Sequence, residues 1–341
     1  MWSLGLFLVR GCVLMIVGYS ASGAVIDGGV NKWFMVLATG RSQSRVLRLL
    51  STGIARVRSS ANFFRCPTCG ENLRPQPRMA HGEEFVCASG HYIPVASDGH
   101  VHLIPTGRLR RRKGTEPGDA RGAMRARQRF FDQGGFSAQI NSVAEAVVGA
   151  LPSQGTAQVL DVGCGEGRYL RALEAQLDEN GLAAYLWGVD VCKFGVAQAA
   201  RRQPTATFAV AKCTRLPFKD GVFDCVLSVF APVPWDEFRR VLRPGGTAVV
   251  VRGGPSHLLG LKGMLYEQTR EQPHPQWPEV SEARESSARV VTVESYPGEL
   301  AASLFMMSPF WWTASPQQQQ DICTRAAVTT EVDFIISTYR F

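Results

Sequence analysis

Short apolar runs alternate with segments of mixed polarity along the second half of the chain. The runs are bounded by turn residues, and they predict buried strands at 157–162, 185–189, 207–210, 223–230 and 247–251. Helical spacing of apolar residues predicts helices before and after the first strand, at 120–131 and 168–176. This alternation predicts an α/β fold with a doubly wound, mostly parallel sheet that binds its ligand at the carboxyl ends of its strands.

The first predicted strand leads directly into a glycine-rich turn, Asp161-Val162-Gly163-Cys164-Gly165-Glu166-Gly167. The three glycines allow backbone amides to approach a ligand where side chains would collide. Their spacing differs from the G-x-G-x-x-G of dinucleotide enzymes, and Asp161 stands two positions ahead of the first glycine. We therefore expect S-adenosylmethionine (SAM) rather than NAD, with Asp161 meeting the cofactor's ammonium group directly or through water.

A second acidic residue stands at the end of the next predicted strand. Asp190 follows the glycine turn by about 20 residues, the position from which a carboxylate accepts both ribose hydroxyls. The third predicted strand opens into a segment that we expect to line the adenine ring. The remaining cofactor contacts are predicted at Cys164, Tyr169, Val191, Ala211, Lys212 and Leu216.

Four metal-ligating side chains precede this region. Cys66 and Cys69 are separated by two residues, 17 residues follow, and Cys87 and His91 are separated by three. This spacing is typical of a tetrahedral structural zinc site, and with all four positions filled by protein no site is left for a reactive water. The flanking segments contain too few apolar residues for a stable core of their own, so we expect the zinc ion to hold the module together.

The net charge of +8 is unevenly distributed among the 341 residues. The first 65 residues contain eight of the 37 basic residues and one of the 29 acidic residues, Asp27. The remainder is close to neutral, so we expect RNA contacts from local patches rather than from a global field. Nine cysteines in a chain of this length favour a reducing compartment over a disulfide scaffold.

The amino-terminal segment has the composition of an organellar targeting sequence. Five arginines between positions 41 and 58 alternate with serines and apolar residues, and no acid interrupts them. This composition predicts a mitochondrial targeting segment and a matrix location. If translation begins at Met35, the segment matches a targeting sequence more closely. A secretory signal and a disordered basic arm that touches RNA are the alternatives. The apolar stretch 2–25 is broken by Arg10 and four glycines, so no stable membrane insertion is expected.

The chain divides by composition into four parts. We predict a targeting or disordered arm at 1–63, a zinc-binding module at 64–105, a basic linker with connecting helices at 106–150 and the catalytic domain at 151–341. The linker has a cluster of cations that is either a solvated segment or a set of phosphate contacts. The predicted RNA-binding residues in it are Arg108, Arg110, Arg111, Arg112 and Lys113.

From residue 64 to the end, the sequence resembles the RlmA-type bacterial large-subunit rRNA guanine-N1 methyltransferases. The resemblance rests on the zinc pattern and on matching segments at 99–105, 117–119, 124–134, 161–167, 216–218, 231–232, 243–246, 254–258 and 307–310, with Lys262 and Tyr266. It implies a Rossmann-like class I SAM-dependent fold with a seven-stranded sheet, a small amino-terminal zinc domain and methyl transfer to N1 of a guanine. Ser228, Phe230 and Trp311-Trp312 depart from the family pattern, and the amino-terminal arm is foreign to the bacterial enzymes.

The acceptor guanine is expected against Phe230, Ala231 and Pro232, with stacking from Phe310 or Trp311. No histidine or glutamate stands out as a base. The expected partners are large-subunit rRNA and possible ribosomal proteins or assembly factors. The competing hypothesis is an assembly factor for the mitochondrial large subunit that uses the same fold as an RNA-binding scaffold. A small-molecule methyltransferase would explain the cofactor motifs but not the zinc module.

Overall fold

The structure is a computed structural model that describes the backbone of residues 2–9, 12–19 and 34–38, and residues 61–78, 82–105, 120–267 and 284–341. The chain forms two units, Met1–Arg56 and Val57–Phe341. The first contains an antiparallel sheet of β1 (Trp2–Val9), β2 (Cys12–Tyr19) and β3 (Phe34–Ala38). The arginine-rich targeting segment and the basic run 108–113 lie outside the described residues, so both remain predictions.

An eight-stranded sheet organises the second unit, in the order β13-β14-β12-β11-β8-β9-β10-β7. The strands from β12 to β7 are parallel to one another, and β14 is antiparallel to both of its neighbours. Their bounds are β7 Val101–His102, β8 Thr156–Val162, β9 Ala183–Asp190, β10 Thr207–Val210, β11 Phe223–Val229, β12 Leu242–Gly253, β13 Arg284–Pro297 and β14 Ala327–Arg340. The expected mostly parallel sheet is confirmed, with one short strand more than the predicted seven.

Eight α-helices are described in this unit. They are α1 Arg121–Asp132, α2 Ser137–Ala150, α3 Arg168–Glu179, α4 Lys193–Arg202, α5 Trp235–Val241, α6 Leu259–Gly263, α7 Gly298–Met307 and α8 Pro316–Cys323, with a 3-10 helix at Pro309–Trp312. The two helices predicted from apolar spacing are confirmed as α1 and α3. Among the described residues, no helix is long and apolar enough to cross a membrane.

The two faces of the sheet are covered differently. Alternate strand residues point to opposite sides, so Val159 and Leu227 belong to one core and Leu160 and Val226 to the other. The first core is filled from the helical side, by residues of α1 to α4, α6, α7 and α8. The second contains residues of α5 together with the buried side chains of the cysteine-rich region, so this region takes the place of helices over much of that face.

The cysteine-rich region forms a small antiparallel sheet of β4 (Arg74–Arg78), β5 (Gly82–Val86) and β6 (Tyr92–Pro94). The Phe64 side chain is fully buried; its ring stacks on that of Phe218 at 5.1 Å and meets Trp187 edge-on at 5.7 Å. At its far end, the region contributes β7, which pairs with β10 at the edge of the main sheet. It is joined to the large sheet by both packing and backbone hydrogen bonds.

Candidate functional site

The glycine turn lies at the carboxyl end of β8, between the strand and α3. Gly163, Gly165 and Gly167 all have positive φ, at 86°, 54° and 81°, which residues with side chains rarely adopt. A Cβ atom on Gly163 would lie 2.5 Å from the Cβ atom of Ala231. Glycine at 163 therefore allows this turn and the loop after β11 to approach each other closely.

Asp190 connects the turn to the end of β9. Its Oδ2 atom accepts a hydrogen bond from the Gly165 amide at 2.9 Å, and its Oδ1 atom accepts one from the Cys192 amide at 2.7 Å. A carboxylate oxygen has two lone pairs and can accept more than one hydrogen bond, as binding of two ribose hydroxyls would require. The side chain is therefore in the position from which a carboxylate accepts from ribose hydroxyls.

Asp161 lies beneath the turn, where it is almost fully buried. Its Oδ2 atom has no hydrogen-bond partner, and burial together with the nearby Asp190 charge raises the pKa of the carboxyl to about 8. A buried carboxyl without a partner is costly unless a donor or a cation reaches it. The orphaned oxygen fits the expected ammonium group, and the glycine turn fits a ligand carboxylate, so the residues present match SAM.

A cavity of about 880 Å³ opens above the carboxyl ends of β8, β9, β11 and β12. The predicted cofactor residues in its wall are Gly163, Cys164, Gly165, Tyr169, Asp190, Val191 and Ala211. Asp161 and Gly167 lie in the same turn but not in the wall. Lys212 and Leu216 line a different cavity of about 280 Å³ between the cysteine-rich region and the sheet.

The acceptor residues predicted from the sequence, Phe230, Ala231 and Pro232, also line the large cavity. Phe230 has a φ of 51°, and its side chain remains about half exposed. The ring stacks on His257 at 5.3 Å and an interplanar angle of 21°. Strained backbone at such a position marks a functional candidate, because the surrounding structure must hold it there.

The aromatic residues after α7 divide between core and cavity. Phe310 and Trp312 line the cavity, and Trp312 is 66% exposed. Trp311, which was predicted as an alternative stacking residue, instead packs edge-on against Phe305 at 5.4 Å. The 3-10 turn of Pro309–Trp312 explains the difference, because it sets consecutive side chains about 120° apart.

Three further basic residues line the same cavity, Arg252, His257 and Lys262. Burial lowers the pKa of Arg252 to about 10 and that of Lys262 below its usual value. Burial and the neighbouring Lys262 charge lower the pKa of His257 to about 4, so its ring is neutral near pH 7. The sequence pattern did not indicate that Arg252 belongs to the site. It lines the cavity because it lies near the end of β12.

The four predicted metal ligands are brought together in the cysteine-rich region. The ligand atoms of Cys66, Cys69, Cys87 and His91 all lie within 4.8 Å of one another. The Sγ atoms of Cys69 and Cys87 are 3.6 Å apart, close to the ~3.8 Å edge of a tetrahedron with 2.3 Å zinc–sulfur bonds. Gly70 and Gly90 have φ near 80°, as the two tight turns require. The cluster fits a zinc ion.

The fold and the glycine turn with its two carboxylates define a SAM-dependent methyltransferase. A model of the methyltransferase domain family matches residues 159–246. The chain is 28% identical to a putative 23S rRNA (guanine-N(1)-)-methyltransferase of Bacillus subtilis, over 81% of this chain and 96% of the relative.

Two further relatives are more similar over a shorter range. The chain is 35% identical to the 23S rRNA (guanine(748)-N(1))-methyltransferase of Streptomyces fradiae, over 60% of this chain and 68% of that protein. It is also 35% identical to a putative 23S rRNA (guanine-N(1)-)-methyltransferase of Micromonospora griseorubida, over 59% of this chain and 69% of the relative. The chain belongs to the family of 23S rRNA (guanine-N1) methyltransferases.

Proposed function

We propose that this protein transfers a methyl group from SAM to N1 of a guanine in large-subunit ribosomal RNA. The observation that carries the proposal is that one cavity is lined both by the glycine turn and Asp190 and by Phe230, Ala231 and Pro232. We assign the first group to the cofactor and the second to the acceptor base, and we call the side lined by the second group the acceptor half. A single cavity of this size accommodates a cofactor and an extruded base side by side, as in-line transfer requires.

On the cofactor side, we assign the ribose hydroxyls to Asp190 and the amino-acid end of SAM to the glycine turn. We assign the ammonium group to the unpaired Oδ2 atom of Asp161 beneath the turn, reached directly or through water. Cys164, Tyr169, Val191 and Ala211 complete the wall. SAM supplies an electrophilic methyl group on a sulfonium. The protein's task is to hold the two reactants in line and to exclude water from between them.

On the acceptor side, we assign the faces of the base to aromatic rings. The Phe230 ring is held by His257 on one side and by Phe334 edge-on at 4.9 Å, so it is preorganised before substrate arrives. Phe310 and Trp312 stand on another wall of the same cavity. Stacking on aromatic rings is a sequence-tolerant way to hold an extruded base, and each stack contributes about 1–3 kcal/mol.

We assign a structural role to a zinc ion at Cys66, Cys69, Cys87 and His91. Support comes from the packing of this region on the sheet, because Phe64 and Phe85 are fully buried in the core that it shares with β8 and β11. Arg108, Arg110, Arg111, Arg112 and Lys113 follow this region in the sequence, and we propose that they contact RNA phosphates.

We further propose that the protein acts in the mitochondrial matrix. The support is the segment with Arg41, Arg45, Arg48, Arg56 and Arg58, which contains serines but no acid. Fusing residues 1–63 to a fluorescent protein should direct it to mitochondria. The matched control replaces the five arginines with glutamine, and equal import of both fusions would contradict the proposal.

The catalytic proposal is tested by incubating the full chain with labelled SAM and unmodified large-subunit rRNA, followed by mass-spectrometric mapping of methylated guanines. One N1-methylguanine is expected with the wild-type chain and none with Asp190→Ala. Asp236→Ala is the control, because Asp236 is a fully exposed acid outside both cavities. Tight SAM binding without methylation of any rRNA, together with loss of large subunits in cells lacking the protein, would favour the scaffold hypothesis instead.

A further inference from the structure

Lys262 is a buried cation in the acceptor half of the cavity. Its side chain is 8% exposed, and its Nζ atom lies 5.8 Å from the centre of the Phe310 ring, over the ring face. Lysines are almost never buried to this extent unless they are paired. Among the residues that the structure describes, no carboxylate forms an ion pair with this ammonium. The charge therefore lies at the wall of the cavity that we assign to the acceptor base.

The backbone that positions Lys262 is held rigidly. The Gly260 amide donates to Glu331 Oε2 at 2.8 Å, and the Leu261 amide donates to Thr330 Oγ1 at 3.2 Å. A Cβ atom on Gly260 would lie 2.3 Å from the Thr329 carbonyl oxygen, so only glycine allows α6 to approach β14 this closely. These contacts fix α6, and with it the point from which the lysine side chain extends.

The acids around Lys262 are already engaged elsewhere. On β14, Glu331 accepts from the Gly260 amide, and Asp333 accepts from Arg289 at 2.7 Å and from Ser256. Although burial opposes it, these bonds lower the pKa of Asp333. Arg252 on β12 is a further cation in the same cavity. The carboxylates in the same cavity wall are Glu166 and Asp190, which belong to the glycine turn and to the end of β9. The charged groups that α6 and β12 contribute to the wall are the cations Lys262 and Arg252.

His257 does not serve as the proton acceptor in this arrangement. Its Nδ1 atom accepts a hydrogen bond from the Asp333 amide at 3.3 Å, and the ring is neutral near pH 7 because burial lowers its pKa to about 4. A neutral imidazole that accepts at Nδ1 carries its proton on Nε2. His257 therefore presents a donor rather than a base.

The chemistry of guanine explains why a cation is useful here. N1 of neutral guanine carries a proton, and when that proton leaves, the negative charge spreads over N1 and O6. We propose that the Lys262 ammonium binds O6 of the extruded guanine and stabilises the N1-deprotonated base. The N1–H proton passes to solvent water, and the N1 lone pair forms a bond to the methyl carbon. The sulfur–methyl bond breaks with its electrons on sulfur, leaving N1-methylguanine and a thioether.

This inference rests on the proposed function and predicts a particular pH dependence. An opposite charge beside an acidic group lowers its pKa, so bound guanine should ionise at a lower pH than free guanine. Without the ammonium, the pKa of bound N1 should return towards its alkaline free value. Removing one donor to a developing oxyanion costs about 10²–10³-fold in rate.

The experiment compares single-turnover methylation from about pH 6 to about pH 9.5, in steps of about half a pH unit, for the wild-type chain, Lys262→Met and Lys262→Arg. Lys219→Met is the control, because Lys219 lies outside both cavities. We expect Lys262→Met to slow transfer about 10²-fold near pH 7 and to recover most of the loss in alkaline solution. Lys262→Arg should retain most of the rate, because arginine also donates to O6 and cannot take up a proton. Cofactor affinity, measured by calorimetry, should be unchanged in every variant.

Several outcomes would overturn the inference. A rate of Lys262→Met that is unchanged, or lowered equally at all pH values, would show that the ammonium does not stabilise an ionised base. If Lys262→Arg were as slow as Lys262→Met, the lysine would act as the proton acceptor instead. Loss of SAM affinity would assign the residue to the cofactor. If the wild-type chain methylated no guanine, the proposed function and this inference would both fail.

Discussion

Gly163→Ala tests the close approach of the cofactor turn and the acceptor loop. The new Cβ atom would lie 2.5 Å from the Cβ atom of Ala231, whereas ordinary contacts begin at 3.4 Å. The two loops must therefore separate by about 0.9 Å, the difference between these distances. The φ of 86° adds strain, about 1–2 kcal/mol for a residue with a side chain.

A separation of this size moves the acceptor loop relative to the methyl donor. Misplacing reactants by about 1 Å costs about 10²-fold in rate, so we expect a loss of that order in single-turnover methylation. Gly155→Ala is the matched control: Gly155 has the same φ of 86°, but nothing lies within 4 Å of its Cβ position. In urea unfolding, Gly155→Ala should show the cost of the φ angle alone and Gly163→Ala at least as large a loss of stability, and only Gly163→Ala should lose activity.

The second half of the test removes the clash instead of the glycine. Gly163→Ala combined with Ala231→Gly takes away the atom that the new Cβ atom meets, so the double variant should recover much of the activity relative to Gly163→Ala alone. Ala231→Gly by itself provides the reference. The reasoning is refuted if both alanine variants lose activity equally, or if the double variant is no faster than Gly163→Ala.

Three further predictions concern other parts of the protein. Purified protein should contain one zinc ion per chain, and Cys87→Ser should release it. The free energy of unfolding should then fall by about 3–5 kcal/mol, the cost of losing an aromatic core residue, because Phe64 loses its packing. Full stability without metal would contradict this prediction. The Asp161 carboxyl, with a pKa of about 8, holds a proton that the unfolded chain loses near pH 4. The free energy of unfolding of the cofactor-free chain should therefore fall as pH rises from 5 to 8, and urea unfolding of Asp161→Asn should show a smaller fall. Phe230→Ala should weaken RNA binding about tenfold to 100-fold in a filter assay without changing SAM affinity, and a loss of SAM affinity would place the ring with the cofactor instead.

The cofactor half of the site was predictable because its determinants are local. β8, the glycine turn and α3 follow one another without interruption, and the ends of adjacent parallel strands meet at one edge of the sheet. This rule brings Asp190 to Gly165 although 25 residues separate them. The zinc ligands were predictable for the same reason, because each pair lies within one tight turn.

The prediction was less complete where the chain leaves this local pattern. Lys212 and Leu216 were expected among the cofactor contacts, but they line a different cavity beside the cysteine-rich region. Trp312 rather than Trp311 reaches the acceptor space, since a single 3-10 turn decides which ring points inward. Sequence spacing does not resolve such a rotation.

The sequence by itself determined the fold class, the cofactor turn with its two acids and the four metal ligands, because short-range spacing and strand order specify them. Only the tertiary structure decided that the cysteine-rich region covers one face of the main sheet and contributes β7 to its edge. Only the tertiary structure brought Arg252, His257 and Lys262 into one pocket. These contacts join segments far apart along the chain, and they form where packing of the whole domain buries the most apolar surface.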